Sequence, residues 1–466
     1  MSPDLPQNKS FCLAPWTHLY VDPDGTAKPC CVYRNTNLTS SDYGNINDYG
    51  TVKELMNSDG YKNLRKKFLK GERDDGCIHC DSHEDAGRID NSVRSFINLF
   101  NSEKSKQSVE DTQEDGTADP NIVYLDIRFG NICNLKCRMC GHGSSSSWWE
   151  DEIKLGEIRG WKASSPRYSA EDGDIASQYY LSSDSTTKDH PPKFIHTDCY
   201  EKIEQYLPFA EEIYFAGGEP LLYPEHNKIL DKLVETNNTE CRLRYNTNLS
   251  TLRTKGRDVI ELWSKFENIR VGASIDAMGK GVEFIRSNLQ WDVFVKNYNR
   301  IRTEAPAVEL YPAATIGILN VEIFPKFNRY CIENNWTNAY PTFNPNFIQH
   351  PIEQDVRILP DWYKEHICVL YEQHIEWIKE RMKDPTIECT GENQLSGLKD
   401  SLKYIREEIN DNKTNSDLID RLWRNLWKWK VVSPELDWKK QLPELYEFYM
   451  KLRPIKGREI NNITPK

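Results

Sequence analysis

The chain is predicted to be α/β: a partial (β/α)6 TIM-like barrel with a small cysteine-rich α+β module before it and a helical extension after it. Three observations predict this. Strand-like runs alternate with helical segments six times between residues 121 and 348. Cys12, Cys30, Cys31, Cys77 and Cys80 punctuate the first hundred residues. Beyond residue 349 the apolar and aromatic side chains recur at helical spacing.

At 466 residues the chain exceeds one ordinary core, so roughly two to three domains are expected. Hydrophobic residues at 38% and charged residues at 28% mark a globular composition without a disordered bias. The net charge of −11 argues against a nucleic-acid groove or an anionic membrane surface. No apolar run nears the roughly 18 residues that a spanning helix requires. Residues 1–9 lack the apolar core of a signal peptide. The expectation is therefore a cytoplasmic protein, with no membrane or nucleic-acid partner. Its 13 cysteines would be thiols or metal ligands rather than disulfides.

In chain order, residues 1–100 form the cysteine-rich module. A short strand begins at His18, Asp22-Pro-Asp-Gly25 is a turn with its glycine at a positive φ, and short helices follow at 51–56 and 60–70. Residues 101–120, rich in Ser, Glu, Asp, Lys and Gln, are expected to be a linker. The barrel spans 121–348, with strands near 122–129, 212–216, 242–246, 270–275, 308–317 and 339–343. Helices lie between them, for example at 251–266 and 321–335. Residues 156–198, rich in Ser, Asp, Gly and Pro, form a long inserted loop. The 349–466 extension carries helices at 361–383 and 417–429. In the second, Trp423 and Trp427 share one face, a stripe expected to be core.

The chemistry-bearing stretch is Cys133-Asn-Leu-Lys-Cys137-Arg-Met-Cys140, on the loop after the first barrel strand. Three thiolates at this spacing can hold a 4Fe-4S cluster and leave one iron open to a small molecule. Structural zinc would need a fourth ligand, and no Cys or His follows at finger spacing. At the end of the next strand stands Tyr214-Phe-Ala-Gly217-Gly218-Glu219-Pro220. Its glycines let a ligand approach the backbone, and its carboxylate can accept from an ammonium. The third and fourth strands end in Asn248 and in Ser274-Ile-Asp276. Such residues can bind ribose hydroxyls or a carboxylate, and equally are common loop starters. Arg286 could pair with a ligand carboxylate or be a solvated helix residue. On pattern alone, the N-terminal cysteines could hold zinc or a second cluster.

These motifs, in this order, resemble those of the radical S-adenosylmethionine (radical SAM) enzymes. The resemblance implies that Cys133, Cys137 and Cys140 ligate a catalytic 4Fe-4S cluster and that Met139 lies against an adenine. It further implies that Gly217, Gly218, Glu219 and Pro220 hold the methionine end of S-adenosylmethionine, and that Asn248, Ser274 and Asp276 serve its ribose or carboxylate. Reductive cleavage would yield a 5′-deoxyadenosyl radical that abstracts a substrate hydrogen. The run Cys12…Trp16…Asp24-Gly25…Pro29-Cys30-Cys31…Gly44-Asn45-Ile46…Cys77-x-x-Cys80…Glu84 is similar to the SPASM/twitch modules. That similarity implies an auxiliary 4Fe-4S cluster on Cys12, Cys30, Cys77 and Cys80, with Cys31 the substitute for Cys30. Here the module precedes the barrel, where related modules usually follow it. The resemblance also implies a reductant such as flavodoxin or ferredoxin, and a peptide or protein substrate. Alternatives are a sugar or small-molecule dehydrogenase or epimerase, an electron carrier without catalysis, and a zinc-stapled binding protein.

Overall fold

The computed structural model describes residues 5–34, 43–85, 87, 89, 92–148, 151–152, 154, 199–336, 346–383, 391–409 and 415–456. The inserted loop at 156–198, the strand expected at 339–343 and Cys389 lie outside the described residues. The principal sheet has seven strands: β1 (His18–Val21), β2 (Ala27–Lys28), β3 (Tyr124–Ile127), β4 (Glu212–Phe215), β5 (Arg242–Thr247), β6 (Ile269–Ser274) and β7 (Glu309–Ala313). The chain divides into two compact units. One comprises residues 1–132, 192–245 and 252–270, the other 133–191, 246–251 and 271–466. Within the first unit the order is β5-β4-β3-β1-β2, and β6 neighbours β7.

In the first unit β1, β3, β4 and β5 run parallel, with Tyr20, Asp126, Tyr214 and Arg244 in one register row. Side chains of a strand alternate between faces, and the sequence exploits this. Leu19, Val21, Leu125, Ile127, Ile213, Phe215, Leu243 and Tyr245 are buried on one face. There Phe215 stacks on Tyr245 at 4.8 Å, and Tyr245 meets Trp263 at 5.2 Å on the helix Val259–Trp263. Helix α1 (Pro224–Glu235) adds His226, whose Nε2 lies 3.0 Å from the Tyr245 hydroxyl. The opposite face carries the polar row.

Two features differ from the sequence expectation. The cysteine-rich module shares the barrel's sheet: β1 pairs in parallel with β3 from His18↔Tyr124 to Val21↔Ile127. The 101–120 stretch is also structured. Ser102 caps a helix Glu103–Glu110 that buries Ser105, Ser108 and Val109, and Arg65 donates to the Gly116 carbonyl at 3.2 Å. Short polar side chains that satisfy backbone groups gave this segment the composition of a linker. The helix expected at 251–266 is shorter, because Arg253–Thr254 pairs antiparallel with Arg257–Asp258. Asp258 then caps Val259–Trp263.

In the second unit the strand expected at 308–317 divides into β7 and Thr315–Ile316, the latter parallel to Asn346–Phe347. The extension is helical, with Asp361–Arg381, Gly391–Arg406, Asn415–Val432 and Pro443–Lys456. Trp423 is buried against Trp438 and Tyr449, whereas Trp427 is only half-buried. Among the described residues no helix is long and apolar enough to cross a membrane.

Candidate iron–sulfur and cofactor site

The cysteine loop of the second unit is held at nearly every backbone group. The Cys133 amide donates to Ser146 Oγ at 3.4 Å, and Ser147 Oγ donates back to the Cys133 carbonyl at 2.7 Å. Ser145 Oγ donates to the Leu135 carbonyl at 2.6 Å, and the Trp148 indole to the Cys137 carbonyl at 3.1 Å. Asn248 Nδ2 donates to Asn134 Oδ1 at 3.0 Å, and Asn134 Nδ2 to Ser250 Oγ at 2.8 Å. Asn248 thus clamps the loop. The clamping serines fall in the run Ser144–Ser147, whose composition resembles a flexible tether and hides their role.

Lys136–Cys137 pairs antiparallel with Arg286–Ser287, in the register Cys137↔Arg286. Arg286 is buried rather than solvated. Its Nε and Nη2 donate to Asp276 at 2.6 and 2.9 Å, and its Nη1 lies 3.9 Å from Cys137 Sγ. Asp276 also accepts from the Thr315 amide at 2.9 Å and is fully buried. Its carboxylate is therefore engaged by Arg286 and by the Thr315 amide. Ser274 at the end of β6 and Met139 in the loop are half-buried. The Cys137 thiol is shifted below its usual range by a hydrogen bond with Cys140, and the Arg286 charge helps against burial.

The Gly-Gly-Glu turn belongs to the first unit. Gly217 and Gly218 take φ of +79° and +55°. A Cβ on Gly218 would stand 2.5 Å from the Ile132 carbonyl oxygen, and one on Gly217 would stand 2.6 Å from Arg128 Cβ. Both glycines are thus required by neighbouring protein atoms as well as by their backbone angles. The Glu219 amide donates to the Ile132 carbonyl at 2.8 Å, and the Ile132 amide donates to the Tyr223 hydroxyl at 2.6 Å. The turn is therefore tied to the residue that immediately precedes Cys133. Glu219 is buried and caps the short turn Pro220–Leu222 through the Leu221 amide.

Cys12, Cys30, Cys77 and Cys80 line one cavity of the first unit, with Tyr33 and Phe68 among its walls. Cys31 is exposed and is not part of that lining. The β1–β2 hairpin leads to Cys30, and Asp74 caps the turn Asp75–Cys77 that starts the helix bearing Cys80. Burial pushes the Cys12 thiol up to about 12, and raises Cys30 and Cys77 as well. The nearby cation, Arg94, is engaged by Asp81 and Glu84 at 2.8 and 2.5 Å. Four crowded thiols short of positive charge fit a group that binds thiolates and supplies that charge. Among the described residues no three His, Cys, Asp or Glu side chains form a site for a single metal ion.

Comparison with known proteins agrees with this layout. Residues 127–307 match the radical SAM superfamily, and residues 12–81 match SPASM, an iron–sulfur cluster-binding domain. No curated protein matches the chain. Solved structures with some similarity include native anSMEcpe with bound AdoMet and Cp18Cys peptide. It is 15% identical at a TM-score of 0.30, over 40% of this chain and 53% of that one. Another is Streptococcus suis SuiB bound to S-adenosylmethionine, 15% identical at a TM-score of 0.29, over 61% of this chain and 53% of that one. The chain thus spans about half the length of each. The cysteine loop and the Gly-Gly-Glu turn lie inside the first matched segment and the four cavity cysteines inside the second, so residues 127–307 carry a radical SAM domain, with a SPASM domain ahead of it at 12–81.

Proposed function

We propose that the protein is a radical SAM enzyme that modifies a peptide or protein and carries one auxiliary cluster. The observation that carries this reading is the Cys133–Cys140 loop, which Ser145, Ser147, Trp148 and Asn248 brace and which bears three cysteines. When bound there, a 4Fe-4S cluster supplies the electron that cleaves S-adenosylmethionine to methionine and a 5′-deoxyadenosyl radical, which takes a hydrogen atom from the substrate.

The chain's own residues have distinct parts in this reading. Cys133, Cys137 and Cys140 hold the cluster. Gly217, Gly218 and Glu219, with Pro220 fixing the turn, take the methionine ammonium, and Ser274 takes the ribose. Met139 covers the adenine. Asn248 holds the loop, and Asp276 acts through Arg286. Cys12, Cys30, Cys77 and Cys80 hold the auxiliary cluster, which would exchange electrons with the substrate or anchor it.

The substrate class is tested with reconstituted enzyme, dithionite and S-adenosylmethionine, by measuring 5′-deoxyadenosine with a peptide library and with a sugar panel. Peptides are expected to raise turnover above the substrate-free rate. Stimulation by sugars alone would overturn the peptide assignment in favour of a small-molecule dehydrogenase or epimerase.

A further inference from the structure

The polar face of the sheet is not accounted for by the cofactor residues. Register places Lys28, Tyr20, Asp126, Tyr214 and Arg244 in one row across β2, β1, β3, β4 and β5. Arg128, immediately after β3, extends it toward Gly217. A row of this kind on a parallel sheet is unusual, because such strands are normally apolar on both faces. Its cations are all paired with carboxylates of the face, yet not equally closely. Lys28 is paired with Asp22, while Arg242 and Arg244 are paired with Glu212. Asp126 and Arg128 form the longest of these pairs, at 3.7 Å. Among the described residues both oxygens of Asp126, and the Nε of Arg128, are buried without a hydrogen-bond partner.

Exposure decides which of these groups meets a ligand. Asp126 has no accessible side-chain surface, whereas the Arg128 and Arg244 side chains keep 26% and 21%. Each guanidinium lies over a ring: Arg128 is 5.0 Å from the centroid of Tyr20, and Arg244, whose Nη2 donates to the Tyr124 hydroxyl, is 4.0 Å from that of Tyr214. Rings that fix a guanidinium plane leave its donor edge preorganised for a planar acceptor. The face also carries four cations (Lys28, Arg128, Arg242, Arg244) against three carboxylates (Asp22, Asp126, Glu212), in a chain whose net charge is −11.

We propose that this face is a carboxylate-binding subsite, in which Arg128 and Arg244 receive an acidic group of the substrate while Asp126 orients Arg128 from below. The assignment rests on the reading of this protein as a radical SAM catalyst, since the acidic group is taken to be the substrate's. A guanidinium fork matches a carboxylate with two parallel hydrogen bonds, a pairing that an amide cannot reproduce. The carboxylate belongs either to a peptide, as an acidic side chain, or to a small organic acid.

Calorimetric titration of the reconstituted holoenzyme with S-adenosylmethionine tests this with two probe pairs. One is an acetylated pentapeptide with a central Glu against the same peptide with Gln, and the other is succinate against succinamide. At least one carboxylate probe is expected to bind about tenfold or more tightly than its amide. Which one does so identifies the source of the carboxylate. The preference should vanish in Arg128→Gln and in Arg244→Gln, and Arg128→Lys should keep part of it. Equal binding of acid and amide, or a preference that survives both glutamine variants, would overturn the subsite. So would a fall in affinity for S-adenosylmethionine itself in those variants, because the arginines would then serve the cofactor's own carboxylate. Formation of 5′-deoxyadenosine by the wild-type protein is read separately. Its absence beside an intact carboxylate preference would sink the catalytic reading and leave the subsite standing.

Discussion

Arg286 is locked to Asp276 by two hydrogen bonds of 2.6 and 2.9 Å, and this fixes its third nitrogen 3.9 Å from Cys137 Sγ. A donor and positive charge beside a cluster thiolate stabilise the more negative, reduced state and so raise the reduction potential. Arg286→Gln is therefore expected to lower the potential of the radical SAM cluster, on the order of 60 mV for a tenfold change in a one-electron equilibrium. Arg286→Lys should shift it less. A redox titration followed by electron paramagnetic resonance measures this, and an unchanged potential in Arg286→Gln would show that the contact has no electrostatic role.

The Asp276 side of the pair predicts a loss of stability. Removing one member of a buried ion pair leaves an uncompensated charge and typically costs about 3–5 kcal/mol. Asp276→Ala should accordingly unfold at clearly lower denaturant than the wild type. A stability within about 1 kcal/mol of wild type would mean that Arg286 finds another acceptor.

The Gly-Gly-Glu turn separates backbone strain from crowding. Gly256 has φ of +83° with no atom within 4 Å of an added Cβ, whereas Gly218 has φ of +55° and meets the Ile132 carbonyl. Gly256→Ala is expected to cost about 1–2 kcal/mol from strain alone. Gly218→Ala should cost more, and should also weaken S-adenosylmethionine binding, because the Glu219–Ile132 hydrogen bond must shift. Equal effects of the two substitutions in thermal unfolding would contradict the crowding argument.

His226 is buried, with its Nε2 beside the Tyr245 hydroxyl, and burial lowers its pKa from 6.5 to about 4. The folded protein favours the neutral ring, so the stability involved is fully present above pH 6.5. It is lost progressively as pH falls toward 4, amounting to about 3 kcal/mol. His226→Gln should flatten the pH dependence of unfolding between pH 6.5 and 4. An unchanged slope would mean that the ring is not buried neutral.

Much of this site could be read from the sequence, because its ligands are local in the chain. Cys133, Cys137 and Cys140 lie within one loop, and Gly217-Gly218-Glu219 within one turn, so spacing and strand position suffice to find them. The supports were illegible because they are distant partners. Nothing in the sequence joins Asp276 to Arg286, Asn248 to Asn134, or Tyr223 to Ile132. The barrel strands were legible from their apolar alternation, yet the parallel pairing of β1 with β3 was not. Strand pairing across a hundred intervening residues leaves no periodic trace. The row Tyr20–Asp126–Tyr214–Arg244 stayed hidden for the same reason, since each strand supplies one polar residue that looks unremarkable alone.

Cys30 and Cys31 make the auxiliary site testable by composition. Wild-type protein reconstituted without oxygen should hold about eight irons, two cubane clusters of four. Cys30→Ala should fall to about four, while Cys31→Ala, outside the cavity, should stay near eight. The reverse pattern would exchange the roles of the two cysteines, and about four irons in the wild type would remove the auxiliary cluster.

The most direct test of the whole account is the 5′-deoxyadenosine released when fully reconstituted protein meets dithionite and S-adenosylmethionine. The wild type is expected to form it, and Cys137→Ala to form none above background. A wild type that holds its iron and sulfide yet releases no more than Cys137→Ala would contradict the radical SAM reading.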